Sequence, residues 1–170
     1  MKQVLVSAFA IAFLAVAAPS FAFTDSIPPA GLPSAAQYGA TLLPRIDGTV
    51  TWETLAEVEP VFVKGRMVPK FSHAIEDLDN KPVLIYGFII PLNFGKDQRH
   101  FLVSPVPPHC PFCMPAGPEA TIEVLASKRV PYQFEPVLIS GKFSLVKDDS
   151  NGLLYRMSEA SQVAAPAIKR

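Results

Sequence analysis

The sequence predicts a mainly β protein: a small OB-like β-barrel of about five strands, preceded by a short helical segment and an extended arm. Three observations predict it. Five apolar or alternating runs, at 81–92, 99–104, 120–126, 135–147 and 153–157, are separated by short polar turns. Two glycines, Gly87 and Gly141, interrupt the middle of two of these runs, where a bulge or sharp coil lets a small barrel close. No repeat of solenoid length is present, and the length of 170 residues fits one domain.

In order, Lys2 is followed by an apolar run from Val4 to Ala18 and then by Pro19, Ser20, Phe21 and Ala22. One positive charge, an apolar core and small residues near its end mark residues 1–22 as a secretory signal peptide cleaved after Ala22. The run is short for the ~20 residues a membrane span requires. No cysteine follows it, so a lipoprotein anchor is excluded. The mature chain is expected to be soluble, in the periplasm or secreted, with no integral membrane segment. Residues 23–48, rich in Pro, Ala, Ser and Gly at their start, read as an extended or disordered arm.

The barrel domain is expected over 49–163. Thr51 can cap a short helix that puts Trp52, Leu55 and Ala56 on one face, with Trp52 plugging one end of the core. Val61 to Pro69 reads as a short strand and turn, ended by Pro69. Phe71 to Leu78 is a helical turn with His73 on its solvated side, and Asp79–Asn80 turns into the first barrel strand, since Asn tolerates positive φ. The run 81–92 is apolar on both faces, as in a strand buried on both sides. In 135–147, Val137, Ile139, Phe143 and Leu145 face one way while Ser140, Lys142 and Ser144 face the other. Residues 164–170 form a frayed tail.

Charge narrows the function. Without Lys2 the chain carries 14 basic and 15 acidic residues, so nucleic-acid binding has no electrostatic support. Nucleophile-elbow, zinc-protease, phosphate-loop and dinucleotide-binding patterns are absent from the sequence. Glu123, Glu135, Asp148 and Asp149 read as ordinary surface or turn carboxylates.

Chemistry concentrates between Val103 and Glu119. This run holds both cysteines of the chain, Cys110 and Cys113, with His109 before them, Met114 after them and six of the eighteen prolines around them. One reading is a metal site. Cys110 and Cys113 have the spacing of a thiolate claw, His109 is a third ligand, and Glu119, Met114, His100 or water supplies a fourth. Such a set suits Zn, and thiolates with the Met114 thioether suit Cu(I). A second reading is thiol–disulfide exchange by Cys110 and Cys113, although Pro115, Gly117 and Pro118 oppose the helix such a pair normally opens. A third is a structural disulfide, whose short loop gives limited entropic stabilisation. The stiff loop could also dock a partner, with Phe112 as anchor.

Several stretches together resemble the DUF3299 family of bacterial exported proteins. They include Trp52, Pro69, Leu78 to Val83, Gly87 to Leu92, Phe101 to Val103, Pro107 to Cys113, Gly117 to Glu119, and Gly152 to Met157. The resemblance spans roughly residues 50 to 163, and Asp79-Asn80-Lys81 stands where the family has Asp-Gly-Lys. It implies a small OB-like barrel and a place beside transport and metal-handling proteins. The expectation is an exported binding or accessory protein rather than an enzyme. It would bind Zn or Cu through His109, Cys110 and Cys113, or dock a membrane transport complex or another exported protein.

Overall fold

The computed structural model describes residues 34–109, 116–147, 149 and 151–166. The stretches expected to be a signal peptide and the first part of an arm lie outside these residues, as do Cys110, Phe112, Cys113, Met114, Asp148 and the end of the tail. No described helix is long and apolar enough to cross a membrane.

Five strands close into a barrel: β3 (Pro82–Pro91), β4 (Asp97–Ser104), β5 (Ile122–Pro131), β6 (Val137–Leu145) and β7 (Tyr155–Val163). Their order around the barrel is β3-β4-β5-β7-β6, returning to β3. All neighbours are antiparallel except β5 and β7. Counted within the barrel this is 1-2-3-5-4-1, the Greek-key order of an OB-like fold. The expected fold class is therefore the observed one.

Closure depends on β3 serving two partners. Pro82–Gly87 pair with β6, and Phe88–Pro91 pair with β4. Gly87 sits at the changeover. A Cβ there would lie 2.7 Å from Val103 Cγ1 and 2.8 Å from the Ser104 carbonyl oxygen, so the two strands meet only where no side chain intervenes. The second mid-strand glycine marks a bulge. Between Ser140 and Lys142 of β6 the register shifts, and opposite it Glu159 adopts φ 53°. Inside the barrel, Ile85, Ile89, Phe101, Val103, Ile122, Val124, Ile139, Phe143, Tyr155 and Met157 are buried. Leu145, expected on the same face as Phe143, is only half-buried, because β6 ends there.

The preceding elements tie onto this barrel. Helix α1 (Ala35–Leu42) lies inside the stretch read as an arm. Its N-terminus carries a capping box: Ser34 Oγ accepts from the Gln37 N–H, and Gln37 Oε1 accepts from the Ser34 N–H. Helix α2 (Trp52–Leu55) is capped by Thr51. Trp52 Nε1 donates to the Tyr86 carbonyl at 2.8 Å, and the Tyr155 hydroxyl donates to the Leu55 carbonyl at 2.6 Å, so α2 is fastened to both β3 and β7.

Strands β1 (Val58–Val63) and β2 (Arg66–Phe71) form a separate hairpin. Lys64 and Gly65 both have positive φ, as a two-residue hairpin turn requires. Pro69 does not end the strand. It sits within β2 opposite Pro60, and these strands have no further pairing partner among the described residues, so the missing N–H groups cost no ladder bond. Helix α3 (His73–Glu76) follows, and Asn80 takes φ 60° as its turn demands. The turn is stitched to β6 by Asn80 N–H to the Phe143 carbonyl and Leu145 N–H to Asp79 Oδ1.

Gly87→Ala is expected to destabilise the fold by about 1–3 kcal/mol, the usual cost of overpacking a tight core site. Urea unfolding followed by Trp52 fluorescence measures it, and a stability equal to wild type would contradict the tight packing at this changeover.

Candidate functional site

The barrel has two ends of different character. At one end lie the β3–β4 and β5–β6 loops. At the other, the β4–β5 connection leaves β4 and rejoins β5, beside the β6–β7 loop.

The β4–β5 connection is anchored where it leaves and rejoins the barrel. Pro105 is buried and packs directly on Gly39 of α1, leaving no room for a side chain there. The Val106 N–H donates to Ser104 Oγ at 3.2 Å, and both residues are buried. On the return, a 3-10 turn (Pro118–Ala120) leads into β5, and the Gly117 carbonyl accepts from the Ala120 N–H and from Thr121 Oγ1 at 2.9 Å. Glu119 leans back over Gly117. Burial, with the nearby Glu119 charge adding to it, holds the Tyr155 phenol well above its ordinary pKa.

Of the expected ligands, His109 is described. It is exposed, and its ring meets Phe134 edge-on with centroids 5.0 Å apart. Phe134 in turn meets Tyr132 at 5.8 Å. His109 thus reaches back from the β4–β5 connection to rest against the β5–β6 loop, held by aromatic contact. Cys110 and Cys113 lie outside the described residues. His100, an alternative fourth ligand, is engaged elsewhere: its Nε2 donates to Glu123 Oε1 at 2.8 Å. His73 is solvated as expected, beside Glu76.

Glu123 differs from its expectation as an ordinary surface carboxylate. Its side chain is only 12% exposed, and it receives bonds from His100 of β4 and from Arg156 Nε of β7. Arg156 also reaches Asp149 at 3.9 Å. Burial alone would raise the Glu123 pKa. The hydrogen bonds and charges of Arg156 and His100 outweigh it and leave the carboxyl below its ordinary range. This carboxylate therefore staples three neighbouring strands, β4, β5 and β7. The sequence signal was faint: Glu123 occupies an alternating strand on the face opposite Ile122 and Val124, where a solvated residue is the usual occupant.

A groove of about 740 Å³ lies between the β1–β2 hairpin, the 3-10 turn and the β6–β7 loop. Val58, Val68, Leu153 and Leu154 contribute apolar walls, and Lys64 and Lys147 lie at it as cations. Glu119 and Asp149 also line it, but Asp149 is engaged by Arg156. Its size falls within the ~300–1,000 Å³ of ligand sites. Sequence reasoning missed the groove because its walls come from segments about 80 residues apart.

The profile of the protein family of unknown function DUF3299 matches residues 52–164, which runs from α2 through the hairpin and the whole barrel. The chain belongs to the DUF3299 family. Helix α1 precedes the matched region, whereas the groove, the Glu123 staple and the Cys run all fall within it. A crystal structure of a DUF3299 family protein from Pseudomonas aeruginosa PAO1 is similar over 58% of this chain and 70% of that one, at 20% identity and a TM-score of 0.45. No curated protein matches the chain.

Because Glu123 is held below its ordinary pKa, its stabilising contribution is complete above the unfolded value of about 4.5 and is lost as pH falls through the lower folded value. Glu123→Gln is expected to lower stability by roughly 1–3 kcal/mol at neutral pH, as loss of charge-assisted bonds does. It should also flatten the acid side of the stability profile. Denaturant midpoints measured from pH 3 to 7 test this, and a profile parallel to wild type would show that the carboxylate does not hold the strands together.

Proposed function

We propose that this DUF3299 protein is an exported binding or accessory protein, and that its groove takes an extended apolar segment of another exported protein. The observation that carries the reading is the groove itself, an apolar trough with Lys64 and Lys147 at it. One wall is a two-stranded hairpin with no further strand on either side among the described residues, so an extended chain has backbone to lie along. The two lysines select an occupant bearing an acidic side chain or a terminal carboxylate. Export is supported by the charged, apolar and small-residue pattern of residues 1–22.

A second reading, a soft-metal site for Zn or Cu at His109, Cys110 and Cys113, is favoured by one structural observation. His109 is exposed at the start of the Cys run, with its ring orientation set by Phe134 rather than taken up by a carboxylate. Cys110 and Cys113 would supply thiolates and His109 a ring nitrogen. Thiol–disulfide exchange by the same cysteines remains its competitor.

The groove reading is tested with extended peptides rich in Val, Ile and Leu that end in Glu or, as controls, in Lys. The Glu series should bind, with NMR shifts at residues 58–69 and 146–154. Lys64→Glu with Lys147→Glu should weaken binding about tenfold by turning attraction into repulsion. Shifts that spare residues 58–69, or equal binding of both series, would overturn it. For the metal reading, calorimetric titration with Zn or Cu(I) should show one ion per chain, lost in Cys110→Ser and weakened in His109→Ala. Absence of stoichiometric binding by the reduced protein would reject it.

A further inference from the structure

The end of the barrel opposite the groove presents two phenylalanines to solvent. Phe94, in the β3–β4 loop, is fully exposed, and Phe134, in the β5–β6 loop, is 62% exposed. Strands β4 and β5 pair at this end as far as Asp97 and Pro131, so each phenylalanine lies three residues beyond the last pair, on neighbouring loops. The Tyr132 N–H donates to the Lys96 carbonyl at 2.7 Å and fastens the two loops together.

The exposure of Phe94 is built into the loop. Gln98 is only 2% exposed, and its Nε2 donates to the Asn93 carbonyl at 3.1 Å and the Gly95 carbonyl at 2.9 Å. A buried amide thus clamps the backbone on both sides of Phe94 and keeps the loop from folding the ring back onto the barrel. Phe134 is held by its contacts with Tyr132 and His109. Leu92 adds a third exposed apolar side chain beside the first loop.

Four exposed cations lie on the strand ends that carry these loops. Lys96 precedes β4 and Arg99 lies within it, and Lys128 and Arg129 lie in the β5 segment where the register shifts opposite Arg99. All four are exposed, and among the described residues none of them forms an ion pair. The carboxylates at this end are Asp97 and Glu135.

We propose that this end of the barrel docks on an anionic lipid surface, with Phe94 and Phe134 entering the headgroup layer and Lys96, Arg99, Lys128 and Arg129 meeting lipid phosphates. Aromatic side chains on clamped loop tips, with exposed cations on the adjoining strand ends, match the two contributions that hold a protein at such a surface: apolar insertion and attraction to anionic headgroups. The excess of four exposed cations over two carboxylates at this end favours an anionic bilayer as the occupant, since juxtamembrane Lys and Arg gain from the negative surface potential.

Vesicles of equimolar phosphatidylglycerol and phosphatidylcholine, and vesicles of phosphatidylcholine alone, provide the test with the protein as purified from cells. Wild type should sediment with the anionic vesicles and less with the neutral ones. Phe94→Ser with Phe134→Ser should lower partition about tenfold, the loss expected when apolar insertion is removed. Lys96→Glu with Lys128→Glu and Arg129→Glu should abolish the preference for phosphatidylglycerol. Both sets of substitutions are at exposed positions, and unchanged thermal unfolding verifies that the fold survives. A Phe94→Trp variant should show a blue shift in emission on anionic vesicles alone. Equal partition of wild type and Phe94→Ser/Phe134→Ser would overturn the proposal. So would equal binding to both vesicle types, or a Phe94-dependent protein partner without lipid binding.

Discussion

The changeover of β3 at Gly87 is the constraint on which the rest of the molecule depends. One strand has to leave β6 and join β4 within a single residue, and this is what turns a five-stranded sheet into a closed barrel. The turn brings the Gly87 backbone against Val103 and the Ser104 carbonyl, with the Trp52 ring close by. Ser104 then holds the Val106 N–H at the start of the Cys run. The departure of the Pro-rich connection from the barrel is therefore set by the same contact that closes it. Helix α2 depends on that contact too, since Trp52 donates to the Tyr86 carbonyl one residue before the changeover.

Closure also separates the two ends of the barrel. At one end the β4–β5 connection and the β6–β7 loop meet the hairpin and leave a groove. At the other, short loops tied by Gln98 and Tyr132 carry phenylalanines outward. The Glu123 staple crosses β4, β5 and β7 between them, and Asp149 links it to the β6–β7 loop beside the groove. Polar bonding is thus concentrated at the joints of the barrel. The interior is left to apolar packing, where an unpaired polar group would cost the most.

Much of this was legible in the chain because barrel strands obey a local rule. Alternation in 135–147 and the doubly apolar run at 81–92 located β6 and β3 to within a residue or two, and Gly87 and Gly141 marked the two irregularities correctly. Helix α1 was obscured by the surrounding Pro, Ala and Ser, although Ser34 and Gln37 form a capping box that local reading can find. β2 continued through Pro69 because an edge strand tolerates a missing donor, a fact about neighbours rather than about proline. Strand β7 ran to Val163 because its bulge at Glu159 re-pairs it with β6, which no periodicity in 153–163 announces.

Features that depend on spacing along one segment were legible locally: β3, β6 and the starts of β5 and β7, the Thr51 cap, the turn at Asn80, the clustering of His109, Cys110 and Cys113, and the family resemblance. Tertiary structure alone decided those that require distant segments to meet. It gave Glu123 to His100 and Arg156 rather than to solvent, assembled the groove from the hairpin and the β6–β7 loop, and set Phe94 and Phe134 on adjoining loops. The physical reason is that a side chain's period fixes which face it occupies, whereas the opposite wall of that face is chosen only when the barrel closes.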